Sequence, residues 1–453
     1  FFKVPLMRMS VACVRTAVRS AAMAGRAAVA GGGVVGQRQA LSTSAGLREE
    51  AGEERIEPAD AESLMQIGTR RILSAEHDEY RRGVRAFFQD QVAPFHDEWE
   101  AAGQVPRELW TAAGEAGLLG VGVPEAEGGV GADIRYSAVV WEEQSYSNCS
   151  GPGFALHSDI VLPYLVHYGT AEQKAKYVPP MITGEAIGAI AMTEPNTGSD
   201  LQGVATKAVQ VDDDTFKISG SKTYITNGAL ADTVIVVTRT GQPDKRGGGL
   251  TLFVVEDGMK GFSRGRKLKK MGLHAQDTSE LFFEDVRVPA ENMVGEEGKG
   301  FRYILSGMNA ERILIASECI GDGRFFIDRA AAYAKDRSVF GRAIGENQGV
   351  QFPIARAYVQ LSAAAEMVTK AARMFDAGET GGTEANMSKM LASEASWFAA
   401  DMCIQTHGGF GFAEEYDIER KFRETRLYQV APISTNLILS HVATHVLGLP
   451  KSF

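Results

Sequence analysis

The sequence is poor in cysteine, with four in 453 residues: Cys13, Cys149, Cys319 and Cys403, far apart and never in CxxC spacing. That excludes a disulfide framework and a structural zinc site, and small buried thiols are the expected state of each. The chain also lacks an apolar run long enough to cross a bilayer, so no membrane span is expected. Basic charge is in deficit, 47 Lys and Arg against 57 Asp and Glu for a net of −10, which argues against a nucleic-acid partner. No internal repeat is visible. What is present is an ordinary globular composition, 44% hydrophobic, with length for two or three domains.

Acid is missing altogether from residues 1–48, which carry Lys3, Arg8, Arg15, Arg19, Arg26, Arg38 and Arg48 among Ala, Val, Ser and Gly. Arginines interrupt every apolar run, so the segment reads as a mitochondrial transit peptide and not as a secretory signal. Cleavage is expected between Arg38 and Glu49, and a mitochondrial-matrix location follows. Taking those seven basic groups from the total of 47 leaves 40 against 57 acidic, a net of −17. Residues 49–73 are polar and acidic and read as a linker.

From Ser74 the pattern turns helical. Ser74 offers an N-cap, and Tyr80, Val84, Phe87, Phe88 and Val92 follow at three- and four-residue spacing. Further helices are expected over 106–119, 138–147 and 157–168 and from Thr170 to Gly184, making 74–188 an N-terminal helical domain. Beyond Asp200 the period shortens. Residues 216–218, 234–237, 250–255 and 281–283 are strand-like, between Gly, Asp and Pro clusters, and give a middle β-domain over 189–297. Its Lys267-Leu268-Lys269-Lys270 run reads as a solvated strand end, with a phosphate contact as the alternative. Ala-rich helical stretches return at 300–336, 348–376, 384–408 and 424–446, so 298–453 is expected to be an antiparallel four-helix bundle. The fold class is therefore α+β and multidomain.

The stretch from Ile190 to Gly228 has the character of a ligand loop. A strand-like entry breaks at Pro195 into Asn196-Thr197-Gly198-Ser199-Asp200, small residues that let backbone N–H groups approach a planar anionic ligand. Later, Tyr224-Ile225-Thr226-Asn227-Gly228 sets an aromatic face beside a hydroxyl, suited to stack on a flat heterocycle and give it one directed hydrogen bond. Plain turns share this composition.

A second feature is a misplaced carboxylate. At about 100° per residue, Ile304, Met308, Ile315 and Cys319 form one helical stripe, and Glu311 falls inside it. Burial there raises a carboxyl pKa and is costly without a partner. Glu311 is therefore either ion-paired, with Arg312 or an arginine of the next helix, or functional.

Thr193-Glu194-Pro195 with Gly198-Ser199-Asp200, followed by Tyr224-Ile225-Thr226-Asn227-Gly228, resembles the flavin-binding signature of the acyl-CoA dehydrogenase family, and further matches extend the resemblance over about residues 75–450. It implies FAD as cofactor, with Met192, Thr193, Tyr224, Ile225 and Thr226 flanking the flavin ring and Ser199 near pyrophosphate and substrate. Arg337-Ser338-Val339-Phe340-Gly341-Arg342 with Gln348 looks like the family segment that crosses a subunit boundary to a neighbour's FAD. Gln405-Thr406-His407-Gly408-Gly409-Phe410-Gly411 is similar to the second family signature, whose glycines admit close backbone approach. Arg337, Phe340, Gln348, Gln405, Gly408 and Gly409 are thus implied cofactor residues, with Ser434 and Asn436 carried over from flavin-contacting polar positions.

Most members of the family carry their base late in the chain, where this sequence has Val430-Ala431-Pro432-Ile433-Ser434 and no carboxylate. The isovaleryl-CoA and long-chain types place a glutamate before an arginine early in the bundle, and Glu311-Arg312 matches that pattern. Glu311 is then the implied base, with Asn309, Arg312 and Ser199 bordering the substrate and Arg312 also orienting the base. One departure concerns Pro432, where the family uses a backbone N–H to hold the thioester carbonyl; proline has none. Losing one such donor costs about 3 kcal/mol unless Ile433 or a flavin hydroxyl replaces it. The implied activity is dehydrogenation of an acyl-CoA to a trans-2-enoyl-CoA by a homotetramer, with electrons passed to electron-transfer flavoprotein. The competing readings are an acyl-CoA oxidase and a weakly active flavin-bearing scaffold of the same fold.

Overall fold

The computed structural model describes residues 73–241 and 248–451, so the leader and all but the last residue of the linker lie outside the described residues. The first helix, α1 (Ala75–Phe87), begins where a capping residue was expected. Ser74 Oγ accepts the His77 N–H at 3.4 Å, and His77 Nδ1 accepts the Ser74 N–H at 3.2 Å. The reciprocal partner of this capping box is a histidine where glutamate is usual. Five helices follow: α2 (His96–Ala102), α3 (Glu108–Glu115), α4 (Ile134–Tyr146), α5 (Leu162–Tyr168), which continues a π-helical turn at Leu156–Val161, and α6 (Ala171–Ile182). The periodic residues Tyr80, Val84, Phe87, Phe88 and Val92 are all buried, packing with Trp110 and Phe154.

Eight strands make the middle sheet: β1 (Gly188–Ala191), β2 (Lys207–Asp212), β3 (Thr215–Thr226), β4 (Thr233–Arg239), β5 (Leu250–Glu256), β6 (Phe262–Lys267), β7 (Thr278–Pro289) and β8 (Met293–Val294). Their order is β6-β7-β3-β2-β4-β5-β8, with β1 laid parallel to β4. β2 and β6 were not expected as strands. They are largely exposed and carry little hydrophobic alternation, so only their pairing with β3 and β7 makes them strands. The lysine run at the end of β6 is partly tied down. Lys267 Nζ donates to the Ala102 carbonyl at 3.3 Å and to Gln104 at 3.0 Å, and Lys270 Nζ to the Gln276 carbonyl at 2.6 Å.

Three long helices dominate the last third: α7 (Gly300–Asp336), α8 (Gln348–Asp376) and α9 (Gly382–His407). A two-stranded hairpin, β9 (Ser338–Val339) with β10 (Arg342–Ala343), joins the first two. The fourth member of the bundle differs from the expected continuous rod over 424–446. It consists of α10 (Ile418–Thr425) and α11 (Thr435–His441), broken at 430–434. Pro432 has no N–H to continue a helix, and its peptide with Ala431 is cis; Ser434 Oγ then starts α11 by accepting the Leu437 N–H. α7 packs against α9, α8 and α4. Cys149, Cys319 and Cys403 are free and buried, as expected of thiols without a role, and burial pushes Cys149 up to about 12. Among the described residues no helix is long and apolar enough to cross a membrane.

Candidate active site

The two halves of the Ile190–Gly228 stretch meet side by side. The Thr223 N–H donates to the Thr193 carbonyl at 3.0 Å, which sets Met192 and Thr193 beside the end of β3 that carries Tyr224 and Thr226. Beneath them Lys222, buried, donates to Glu194 Oε1 at 2.9 Å and to the Met192 carbonyl at 3.0 Å. Glu194 also accepts the N–H groups of Ala205 and Thr206 at 2.8 and 2.9 Å. The loop is therefore fixed from below by one ion pair. Its outer side is open: Tyr224, at φ 57°, leaves its ring 68% exposed, Ser199 is exposed, and nothing stands within 4 Å of a Cβ built on Gly198. Ile225 is different, its side chain belonging to the sheet core, so it offers a ligand only backbone. Asn227 is also structural, its amide donating to the carbonyls of Gly153 and Gly188 at 3.1 and 3.2 Å.

Lys222 was not singled out from the sequence, although a signal existed. It shares strand parity with Phe216 and Ile218, both buried, so a lysine was falling on an inward face.

Glu311 lies on α7, 4% exposed, at the wall of a cavity of about 530 Å3. The cavity runs between α7, α5 with its π-helical turn, and the start of α4, and its walls include Leu314, Ala310, Ile160, Pro163, Ile134 and Phe375. Tyr168 stacks on Tyr303 with centroids 4.0 Å apart and shares a 2.5 Å hydrogen bond with Ser306, forming one side. Among the described residues no ion pair holds Glu311, and its Oε1 is buried without a hydrogen-bond partner. Burial raises its carboxyl to about 7, with adjacent Arg312 opposing the rise. Arg312 itself donates to Asn309 Oδ1 at 3.2 Å, and neither residue is part of the cavity wall. A buried carboxyl raised to about 7, without a hydrogen-bond partner at the wall of a mostly apolar cavity, can take up a proton.

The other implied cofactor residues lie elsewhere. Arg337 caps the far end of α7, and at about 1.5 Å per residue the helix carries it roughly 39 Å from Glu311. There its guanidinium sits 5.5 Å from the Phe410 ring, bringing the 337–348 segment against the 405–411 signature. Phe340 at the hairpin tip is fully exposed, Gln348, Gln405, Gly408 and Gly409 are exposed, and the two glycines have open space where a Cβ would stand. His407 is a packed residue, stacked 4.1 Å from Tyr333. Ser434 caps α11, Asn436 is exposed, and Thr435 Oγ1 between them is buried without a partner. Lys389 Nζ pins the same turn by donating to the Ile433 carbonyl at 2.8 Å. An exposed aromatic face, open glycines and an orphaned hydroxyl are features that fit a flavin dinucleotide.

Sequence models described as Acyl-CoA dehydrogenase, N-terminal domain, middle domain and C-terminal domain match residues 74–185, 189–286 and 298–447. The chain is 46% identical to the long-chain specific acyl-CoA dehydrogenase, mitochondrial, of Sus scrofa over 391 residues, covering 86% of this chain and 91% of that protein. Among solved structures it is similar to an acyl-CoA dehydrogenase from Geobacillus kaustophilus, with a TM-score of 0.81, 40% identity and coverage of 83% and 99% of the two chains. A glutaryl-CoA dehydrogenase from Mycobacterium smegmatis in complex with FADH2 superposes with a TM-score of 0.78 at 26% identity, over 84% of this chain and 97% of that one.

Proposed function

The chain belongs to the acyl-CoA dehydrogenase family, and from that premise we propose that it oxidises the Cα–Cβ bond of an acyl-CoA thioester to a trans-2-enoyl-CoA, with Glu311 as the base. It is an FAD enzyme, and bound FAD supplies the acceptor for the hydride that leaves Cβ. The observation that carries the assignment of the base is Glu311 itself, a buried carboxyl without a hydrogen-bond partner at the wall of an apolar cavity.

Burial raises the Glu311 carboxyl to about 7, and its ionised form takes the proton from Cα. The apolar walls, Leu314 and Phe375 among them, receive the acyl chain and exclude water, which keeps the carboxylate basic. Met192, Thr193, Tyr224 and Thr226, on a loop braced by the Lys222–Glu194 pair, would hold the flavin ring, with Ser199 for the pyrophosphate and Ser434 and Asn436 as further polar contacts. Ile433, next to Pro432, has the N–H that proline lacks for the thioester carbonyl. Arg337, Phe340 and Gln348 stand far along the bundle from Glu311, which supports a role at the cofactor of a neighbouring subunit in a proposed homotetramer, with Gln405, Gly408 and Gly409 beside them. Electron-transfer flavoprotein is the proposed acceptor and the mitochondrial matrix the proposed location, supported by the acid-free leader and the mitochondrial relatives.

The experiment is a panel of straight, branched and aromatic acyl-CoAs assayed with a dye acceptor, run on the wild type and on Glu311→Gln. The wild type should bleach its flavin with at least one substrate class, and Glu311→Gln should stay yellow. Bleaching of the variant at the wild-type rate would place the base elsewhere.

A further inference from the structure

Besides Glu311 Oε1 the cavity wall carries two more orphaned polar atoms, Ser158 Oγ and Tyr164 Oη, and the second of these faces the base. Tyr164, on α5 and 2% exposed, lines the same cavity and its Oη is buried without a hydrogen-bond partner. Tyr164 Oη and Glu311 Oε1 flank one glycine. A Cβ built on Gly307, one helical turn before Glu311, would lie 3.5 Å from Tyr164 Oη and 4.0 Å from Glu311 Oε1. Leaving either group unsatisfied is costly, and a phenol beside a carboxyl is a donor beside an acceptor.

We propose that Tyr164 is a positioning residue for Glu311: across the space left open by Gly307, its hydroxyl donates, directly or through one water, to the carboxylate form of the base. The inference rests on Glu311 being the base. A hydrogen bond to the ionised form favours ionisation, so Tyr164 offsets part of what burial does to Glu311 and aims the reacting oxygen. Ser158 Oγ is also without a partner but shows no electrostatic link to Glu311, and the charged groups of the wall are engaged. Asp159 accepts from Ser137 and Trp141 at 2.6 and 2.7 Å, Asp133 is held by His77 and Arg135, and Tyr168 is bonded to Ser306. The His167 ring meets Tyr168 edge-on with centroids 6.2 Å apart, and outside the wall Arg312, next to Glu311 in sequence, is bonded to Asn309. Tyr164 is electrostatically coupled to Glu311, as it is to Tyr168.

The test is Tyr164→Phe, which keeps shape and burial, read out as the Glu311 carboxyl titration in the resting holoenzyme by infrared difference spectroscopy, with Glu311→Gln to assign the band. The titration should move upward by about half to one pH unit, and the acid limb of kcat/KM should move with it while the flavin absorbance stays constant. Gly307→Ala, which fills the gap, should give the same upward shift together with a higher Tm, because alanine replaces glycine inside a helix. An unmoved carboxyl titration in Tyr164→Phe overturns the proposal. The spectroscopic readout needs no turnover, so a wild type that oxidises no acyl-CoA would reject the proposed reaction while leaving this test decisive.

Discussion

Lys222 Nζ and Glu194 Oε1 lie 2.9 Å apart, both buried, and the same ammonium holds the Met192 carbonyl. Glu194 belongs to one half of the cofactor signature and Lys222 to the strand that carries the other, so the ion pair joins the Thr223–Thr193 backbone hydrogen bond in setting their spacing. Burial lowers the Lys222 ammonium to about 8 with Glu194 opposing, whereas Glu194 ends below its usual range because Lys222 and two backbone N–H groups outweigh its own burial. The pair is charged at neutral pH.

Removing one partner strands the other. Lys222→Met is expected to cost about 3–5 kcal/mol of stability by leaving Glu194 buried and unpaired, and to release FAD as Thr193 and Tyr224 lose their spacing. Differential scanning calorimetry and the ratio of flavin to protein absorbance check both. Full flavin content at wild-type Tm would show that the loop is held by other means.

The acid limb of activity should report Glu311. Its carboxyl, near 7 in the free protein, must be ionised to act, so kcat/KM should rise about tenfold per pH unit below 7 and level off above it. Glu311→Gln should abolish that limb and lower turnover by about 10²- to 10⁴-fold. A limb centred below pH 5 would mean a carboxyl that is solvated in solution.

Glu318, two turns along α7, provides a stability test with a definite sign. Burial and nearby Asp322 raise it to about 8 from an ordinary 4.5, although Tyr428 donates to it at 3.0 Å. Between those values the folded protein keeps a proton that the unfolded chain has lost, so stability falls as pH rises from 4.5 to 8. Glu318→Gln keeps the acceptor for Tyr428 and removes the penalty. It should be more stable than wild type by at least about 1 kcal/mol at pH 8, with the difference fading toward pH 4.5, measured by urea unfolding at several pH values.

Arg337 allows the subunit assignment to be tested by complementation. If it serves a neighbour's cofactor, Arg337→Ala and Glu311→Gln are each inactive alone. Co-assembled, they should recover a measurable fraction of activity, because a subunit with intact Glu311 can receive Arg337 from its neighbour. Hybrids as inactive as their parents would assign Arg337 to its own subunit's site.

Local pattern was enough for the helices. The three-residue spacing after Ser74 and the apolar stripe of α7 place side chains on one face whatever the rest of the chain does, so the helical character of both ends and the oddity of Glu311 were legible. β2 and β6 were not, because their strand character comes from partners and not from their own residues. The break in the last rod is only half legible: Pro432 announces a missing N–H, yet the Ala-rich pattern on either side of it reads as one continuous helix.

The sequence by itself determined the order of helical, β and helical segments, the two signature loops, and the presence of one carboxylate within a greasy stripe, since each is a property of neighbours along the chain. The tertiary structure alone decided that this carboxylate meets no arginine, that Tyr164 stands across Gly307 from it, and that Lys222 lies under Glu194. Those relations join residues far apart in sequence. Which polar groups find partners is settled only when elements pack and water is excluded, and no periodicity encodes that.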